Sequence, residues 1–282
     1  MPVKKDPSGR RSVQAEVEVP GTPEEVWAAI ATGRGISSWF VPAEFQGGTD
    51  GHPEKVVLHF GPGTSMDSIS QVTSWEPPRR WAADNSDDMG PGGPTVATEW
   101  IVEARAGGTC VVRIVHSWFT SSDKWDDQFE GHEHGWVAFF RILRLYLTHF
   151  RGQDGAQLQL MSMTPEPPAK AWEASIGALG LDSAIEGERI ASRPDAPRLA
   201  GVVERLGPPE YPELLVRLDE PAQGIAHGFA ITMGGTTCVS IRMYLYGDAA
   251  SGTVARVEPA WRAWMDELFA SAGDMGAASQ EA

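Results

Sequence analysis

The residues best suited to chemistry are few. Glu130-Gly131-His132-Glu133-His134 places two imidazoles at i and i+2 beside two carboxylates, a set able to hold a divalent cation. Its spacing is not the H-E-x-x-H that puts two histidines on one helical face, and it falls where a helix should begin. A solvated helix start accounts for it, and no metal is expected. His116, in VRIVHSWF, shares one strand face with Val112 and Ile114. If that face borders an enclosed space, the imidazole could hydrogen-bond a ligand or serve as a general acid or base. A satisfied polar group is the alternative, because no partner for it is evident. Serine chemistry lacks its G-x-S-x-G elbow, and neither Gly61-Pro62-Gly63 nor Gly33-Arg34-Gly35 extends to a phosphate or dinucleotide loop. No catalytic set and no cofactor are therefore expected.

Aromatic side chains are the stronger hint. The chain has 11 Trp. Trp39, Phe40, Trp75, Trp81, Trp100, Trp118, Trp136 and Phe140, with His116, form the candidate ligand-binding set. Such rings can line an apolar cavity and stack on ring-containing ligands. They can equally fill a core, the stronger reading for Trp27, Trp136, Trp172 and Trp261.

The elements that must position these residues are legible in the pattern. Val13, Ala15, Val17 and Val19 alternate with polar residues, as in a half-buried strand. Thr22, Pro23 and Glu25 make a capping box with proline at the first helical position, and Val26, Trp27, Ile30 and Ala31 supply that helix's apolar face. Ile36 to Phe40 reads as a short helical turn. Strands are expected at 55–60, 66–75, 79–84, 95–105 and 109–118, separated by Gly/Pro-rich turns. A long helix then carries Trp136, Phe140, Leu143, Leu147 and Phe150 as one stripe.

After residues 151–155 the order begins again. Leu158 and Leu160 open a strand, and a helix carries Trp172. Strands fit 198–206, 211–219, 224–232 and 237–246, and a closing helix holds Trp261, Trp264, Met265, Leu268 and Phe269. TPEEVW answers EPPAKAW, GGTCVVRI answers GGTTCVSIR, and GWVAF answers AWRAW, three matches in the same order. The pairs predict tandem copies of one domain, the second shortened between its first helix and its later strands.

Composition limits the partners. The formal charge is −15 and the 23 basic residues are scattered, which disfavours nucleic acid and anionic lipid. No run of about 18 apolar residues occurs, so no membrane span is expected. The opening MPVKKDPSGRR has no apolar core after it, so no secretory leader is expected either. Cys110 and Cys238 sit in strand-like runs and read as buried free thiols. A cytoplasmic location is the expectation.

The landmarks resemble the SRPBCC (START-like) superfamily, and within it bacterial proteins similar to activators of the heat-shock chaperone ATPase. The resemblance rests on VEVPGTPEEVWAAI at 17–30 with Trp39-Phe40 after it, TSWEPPRRWAAD at 73–84, TEWIVEARAGGTCVVRIVHSWF at 98–119 and GWVAFFRIL at 135–143. It implies an α+β helix-grip fold: a curved antiparallel sheet wrapped on a long C-terminal helix, with a cavity of several hundred cubic ångströms between them. The expected layout is a disordered lead-in at 1–11, a full domain at 12–152, a shorter divergent copy at 156–272 and a flexible tail at 273–282. The first domain is expected to bind a small apolar or aromatic molecule without catalysis. The resemblance leaves open a chaperone-interacting module and a cyclase or hydrolase using His116. A chaperone and a second copy of the chain are the macromolecular partners to be sought.

Overall fold

The computed structural model describes residues 3–278 except 50, 62, 91 and 121–125; the side chains of 126–134 and 271–278 lie outside that description. The chain divides into two compact units, residues 1–151 and 152–282.

The first unit runs β1 (Lys4–Lys5), β2 (Arg10–Pro20), α1 (Pro23–Ile30), α2 (Gly33–Ser37), β3 (Ala43–Gln46), β4 (Lys55–His59), β5 (Asp67–Glu76), β6 (Arg80–Asn85), β7 (Val96–Arg105), β8 (Thr109–Phe119) and α3 (Asp126–His149). Its strands form one antiparallel sheet in the order β1-β2-β8-β7-β6-β5-β4-β3. In β2 the expected alternation buries Val13, Ala15 and Val19. At α1 the capping box is complete: Glu25 N–H donates to Thr22 Oγ1 at 3.3 Å, and Thr22 N–H donates to Glu25 Oε2 at 2.8 Å. On α3, Phe140, Leu143 and Leu147 are buried, as is Phe150 just after it, the apolar stripe that lays the helix on the sheet.

The start of the chain departs from expectation. Residues 1–11 read as a disordered lead-in, but β1 pairs with Ser12 and Arg11, and β2 already begins at Arg10. Asp6 makes this turn. Its Oδ1 accepts from the backbone N–H of Ser8 at 2.8 Å and of Arg10 at 3.2 Å, and Gly9 takes the left-handed conformation at φ 82°.

The second unit runs β9 (Gly155–Thr164), α4 (Pro168–Leu179), β10 (Arg189–Ala191), β11 (Ala200–Leu206), β12 (Glu213–Glu220), β13 (Gly224–Met233), β14 (Thr236–Tyr246) and α5 (Ala250–Ala278). Its sheet order, β10-β11-β12-β13-β14-β9, is the first unit's order read from β4 to β2. Among the described residues the second copy lacks counterparts of β1, α2 and β3, and the loss of α2 and β3 places its shortening between the first helix and the strands. Both units turn their last hairpin on paired glycines. Gly107 and Gly108 have φ of 87° and 78°, and Gly234 and Gly235 have 60° and 84°, values that side chains with a Cβ resist. The closing helix runs on to Ala278.

Cys110 and Cys238 are buried free thiols, held protonated by desolvation. No helix among the described residues is long and apolar enough to cross a membrane.

Candidate ligand cavity

Strand register sets the site. On the sheet face turned toward α3, Trp81 stands opposite Trp100, and Trp100 opposite Ile114. One step along, Ala83 stands opposite Thr98, and Thr98 opposite His116. The face is therefore an aromatic row followed by a polar one. Beyond the polar row lie Asn85 on β6 and Ser68 and Ser70 on β5. These residues, with Ile36, Phe40, Val56, Leu58, Phe60, Asp88, Gly135, Trp136 and Phe139, enclose a cavity of about 200 Å³.

The aromatic walls brace one another. Trp81 and Trp100 stack with centroids 6.0 Å apart and planes 14° from parallel. Trp136 stands edge-on to Trp100 at 5.4 Å, and Phe40 packs on Trp136 at 5.1 Å and edge-on to Phe139 at 4.4 Å. The Trp81 indole N–H donates to Ile30 O at 3.2 Å, away from the space its ring walls.

At the polar row, His116 is held through both ring nitrogens. The Trp136 indole N–H donates to His116 Nε2 at 2.8 Å, and His116 Nδ1 lies 2.9 Å from Thr98 Oγ1. An indole nitrogen can only donate, so Nε2 accepts and the neutral ring carries its proton on Nδ1. That proton is donated to Thr98. His116 is thereby fixed as a buried neutral imidazole.

The nine sequence-derived residues separate accordingly. Phe40, Trp81, Trp100, His116 and Trp136 line the cavity together. Trp39 lies behind it: its N–H donates to Ala29 O at 2.9 Å, and its ring supports Trp100 edge-on at 6.1 Å. Trp118, two residues past His116, packs instead with Val13, Met89 and Val96. Phe140 is buried against Trp100 and Trp136, while its neighbour Phe139 faces the cavity in its place. Trp75 sits at the far end of β5, beyond the shift of register between Val72 and Ser74, edge-on to Trp27 at 5.0 Å. It borders a separate groove of about 530 Å³, open to solvent and rich in glycine. The cavity is smaller than the several hundred cubic ångströms expected, because these large rings occupy the space a wider pocket would have. The metal candidates His132 and His134, with Glu130 and Glu133, have side chains outside the described residues.

Strand alternation from Trp100 and His116 was the available signal for Thr98, Ala83 and Asn85. Val56, Leu58 and Phe60 carried none, because an apolar residue on β4 reads the same whether it faces core or cavity.

The corresponding place in the second unit is filled. Trp172 and Trp261, with Leu179, Leu214, Val216 and Ile241, leave only about 20 Å³, room for roughly one water molecule. Gly228 packs closely there: a Cβ would lie 3.1 Å from the Trp172 ring.

Residues 10–141 match the family described as polyketide cyclase / dehydrase and lipid transport. That match spans most of the first unit. The α+β helix-grip architecture is present in tandem, the second copy being divergent. Similar solved structures include the di-domain ARO/CYC protein BexL from the BE-7585A biosynthetic pathway, at 13% identity and TM-score 0.43, covering 95% of each chain. CalU16 from Micromonospora echinospora is 17% identical with TM-score 0.39, over 52% of this chain and 83% of that one. The Aha1 dimer from Colwellia psychrerythraea is 20% identical with TM-score 0.38, over 50% and 98% respectively. No curated protein matches the chain.

Proposed function

We propose that the first unit binds one small apolar or aromatic molecule between its sheet and α3, and that it does so without catalysis. The observation that carries this is the enclosed aromatic space beside a fixed polar row. Burial against ring faces supplies affinity, and the polar row supplies orientation. The second unit, with its equivalent space filled, is a structural copy. Native mass spectrometry of the purified chain tests the proposal: a retained small molecule supports it. Hydrophobic probes that change neither tryptophan fluorescence nor melting temperature would count against it.

The family description favours one further reading, cyclase-type chemistry with His116 as general acid or base. For that role His116 must exchange Trp136 or Thr98 for substrate, since both ring nitrogens are engaged. Replacing His116 by Ala without loss of any detected turnover would remove it. A chaperone-interacting module is the alternative to ligand binding, and homodimerisation and a cytoplasmic location are proposed with either. Pull-down, light scattering and cell fractionation test them.

A further inference from the structure

Equivalent edge strands in the two units are treated differently. In the first unit β2 is guarded: β1 pairs along its start at Ser12 and Arg11, and Glu16 and Glu18 put charge on the remainder. Such devices keep an edge strand from pairing with another chain. Its counterpart β9 ends the second sheet with neither, and no strand pairs with its outer edge among the described residues. No charged residue occurs in 155–165, nor in 228–241 of the neighbouring β13 and β14, although 22% of the chain is charged. The Leu160 carbonyl faces β14, where it accepts from Ser240 Oγ at 3.2 Å. Backbone groups alternate sides along a strand, so the N–H and C=O of Met161 and Met163 face the outer edge. Their side chains, on the sheet face opposite the buried Leu158 and Leu160, are exposed, as are Ile231 and Met233 on β13. Register places Met163 and Ile231 on either side of Cys238. Edge and face together form one apolar, uncharged patch that also presents backbone donors and acceptors.

We propose that a second copy of the chain docks on this patch, β9 against β9. Antiparallel pairing about a twofold axis at Ser162 sets Met161 opposite the partner's Met163, and Met163 opposite the partner's Met161. Each of these pairs exchanges two backbone hydrogen bonds, and the methionine side chains meet on one sheet face. Charge selects the occupant. The chain carries −15, so two copies repel wherever their charged surfaces meet, and this patch brings no charges together. A basic partner would be drawn to carboxylates, which the patch lacks. The interface is small, so association is weak and set by concentration.

Sedimentation velocity of the full chain from roughly 1 µM to 1 mM, the range of weak complexes, tests the pairing. The mass should rise from 30.5 kDa toward twice that value. Met163→Pro removes only an outward N–H, which an edge strand tolerates, and Met161→Lys puts a charge into the patch. Each should hold the chain at 30.5 kDa while leaving its melting temperature little changed. Ser162→Cys should give a disulfide-linked dimer on mild oxidation, because Cα atoms across a non-hydrogen-bonded pair lie about 4.5 Å apart, within disulfide reach. The native Cys110 and Cys238 are buried, and this variant decides the matter should either of the others unfold. A wild type constant at 30.5 kDa, a dimer that survives Met163→Pro in a folded chain, or no cross-link through Cys at 162 would overturn the proposal. So would a monomeric chain that captures a foreign protein and loses it on Met163→Pro, which would give the edge to another strand. Ligand binding by the first unit stands or falls separately, since its cavity takes no residue from β9.

Discussion

Replacing Trp136 by Phe tests the geometry on which the site depends. The change keeps an aromatic ring on α3 but deletes the N–H that donates to His116 Nε2 over 2.8 Å. His116 is buried, at 9% exposure, so its acceptor nitrogen then lacks that donor away from bulk water. Leaving such a group unsatisfied costs about 1–3 kcal/mol. Loss of ring contact with Phe40 and Trp100 adds to this, so the single substitution cannot isolate the bond. A double-mutant cycle with His116→Phe can, because it cancels what each change does alone. The expected coupling lies in the range of about 0.5–3 kcal/mol for groups in contact. Denaturant unfolding of the four proteins gives the number, provided the transition of the first unit is resolved from that of the second. Energies additive to within about 0.5 kcal/mol would refute the hydrogen bond, and with it the fixed tautomer.

Other perturbations have defined outcomes. Gly35→Ala should destabilise the first unit by roughly 1–3 kcal/mol or more, seen as a lower melting temperature, because the added Cβ would lie 1.9 Å from Ala28 O. Thr22→Ala should cost about 0.5–2 kcal/mol in denaturant unfolding through loss of the α1 cap. Glu25 accepts from the Thr22 backbone N–H and pairs with Arg151, which together hold its carboxyl below the ordinary range. Its contribution is therefore present above the unfolded carboxyl's titration and is lost as pH falls through the lowered folded value. The melting-temperature gap between the wild type and Glu25→Gln should close in acid, and a gap constant with pH would contradict the pairing. Burial pushes the Tyr244 hydroxyl up to about 12, so native ultraviolet titration should show one tyrosine ionising late. Stability should fall as pH rises above the ordinary tyrosine value of about 10, because the unfolded chain then ionises first.

Much of the fold was written in local patterns. Alternation in β2 and β8, the Thr22–Glu25 box and the α3 stripe are each decided by a few adjacent residues, and each appears where periodicity placed it. The site was only half legible. Strand alternation says that Trp81, Trp100 and His116 share a face with Trp118, but not where the helix layer stops. Trp118 is covered by Met89, from the connection between β6 and β7. Helical spacing put Trp136 and Phe140 on one stripe, yet the cavity meets the helix on the side of Trp136 and Phe139, roughly a third of a turn away. The turn at Asp6 escaped because its strand is two residues long and its sequence is polar. The tautomer of His116 escaped because it depends on its partners Trp136 and Thr98, a property of the assembled network rather than of the residue.

The central claim is that the first unit has a ligand cavity and the second has lost its own. Indole N–H resonances of the full chain, followed by nuclear magnetic resonance during titration with a two-ring aromatic probe such as chromone, test it most directly. Saturable shifts at Trp100 and Trp136 with one equivalent bound, while Trp172 and Trp261 stay still, are the predicted result. Shifts at Trp172 and Trp261, or none at Trp100 and Trp136 at saturating probe, would contradict it.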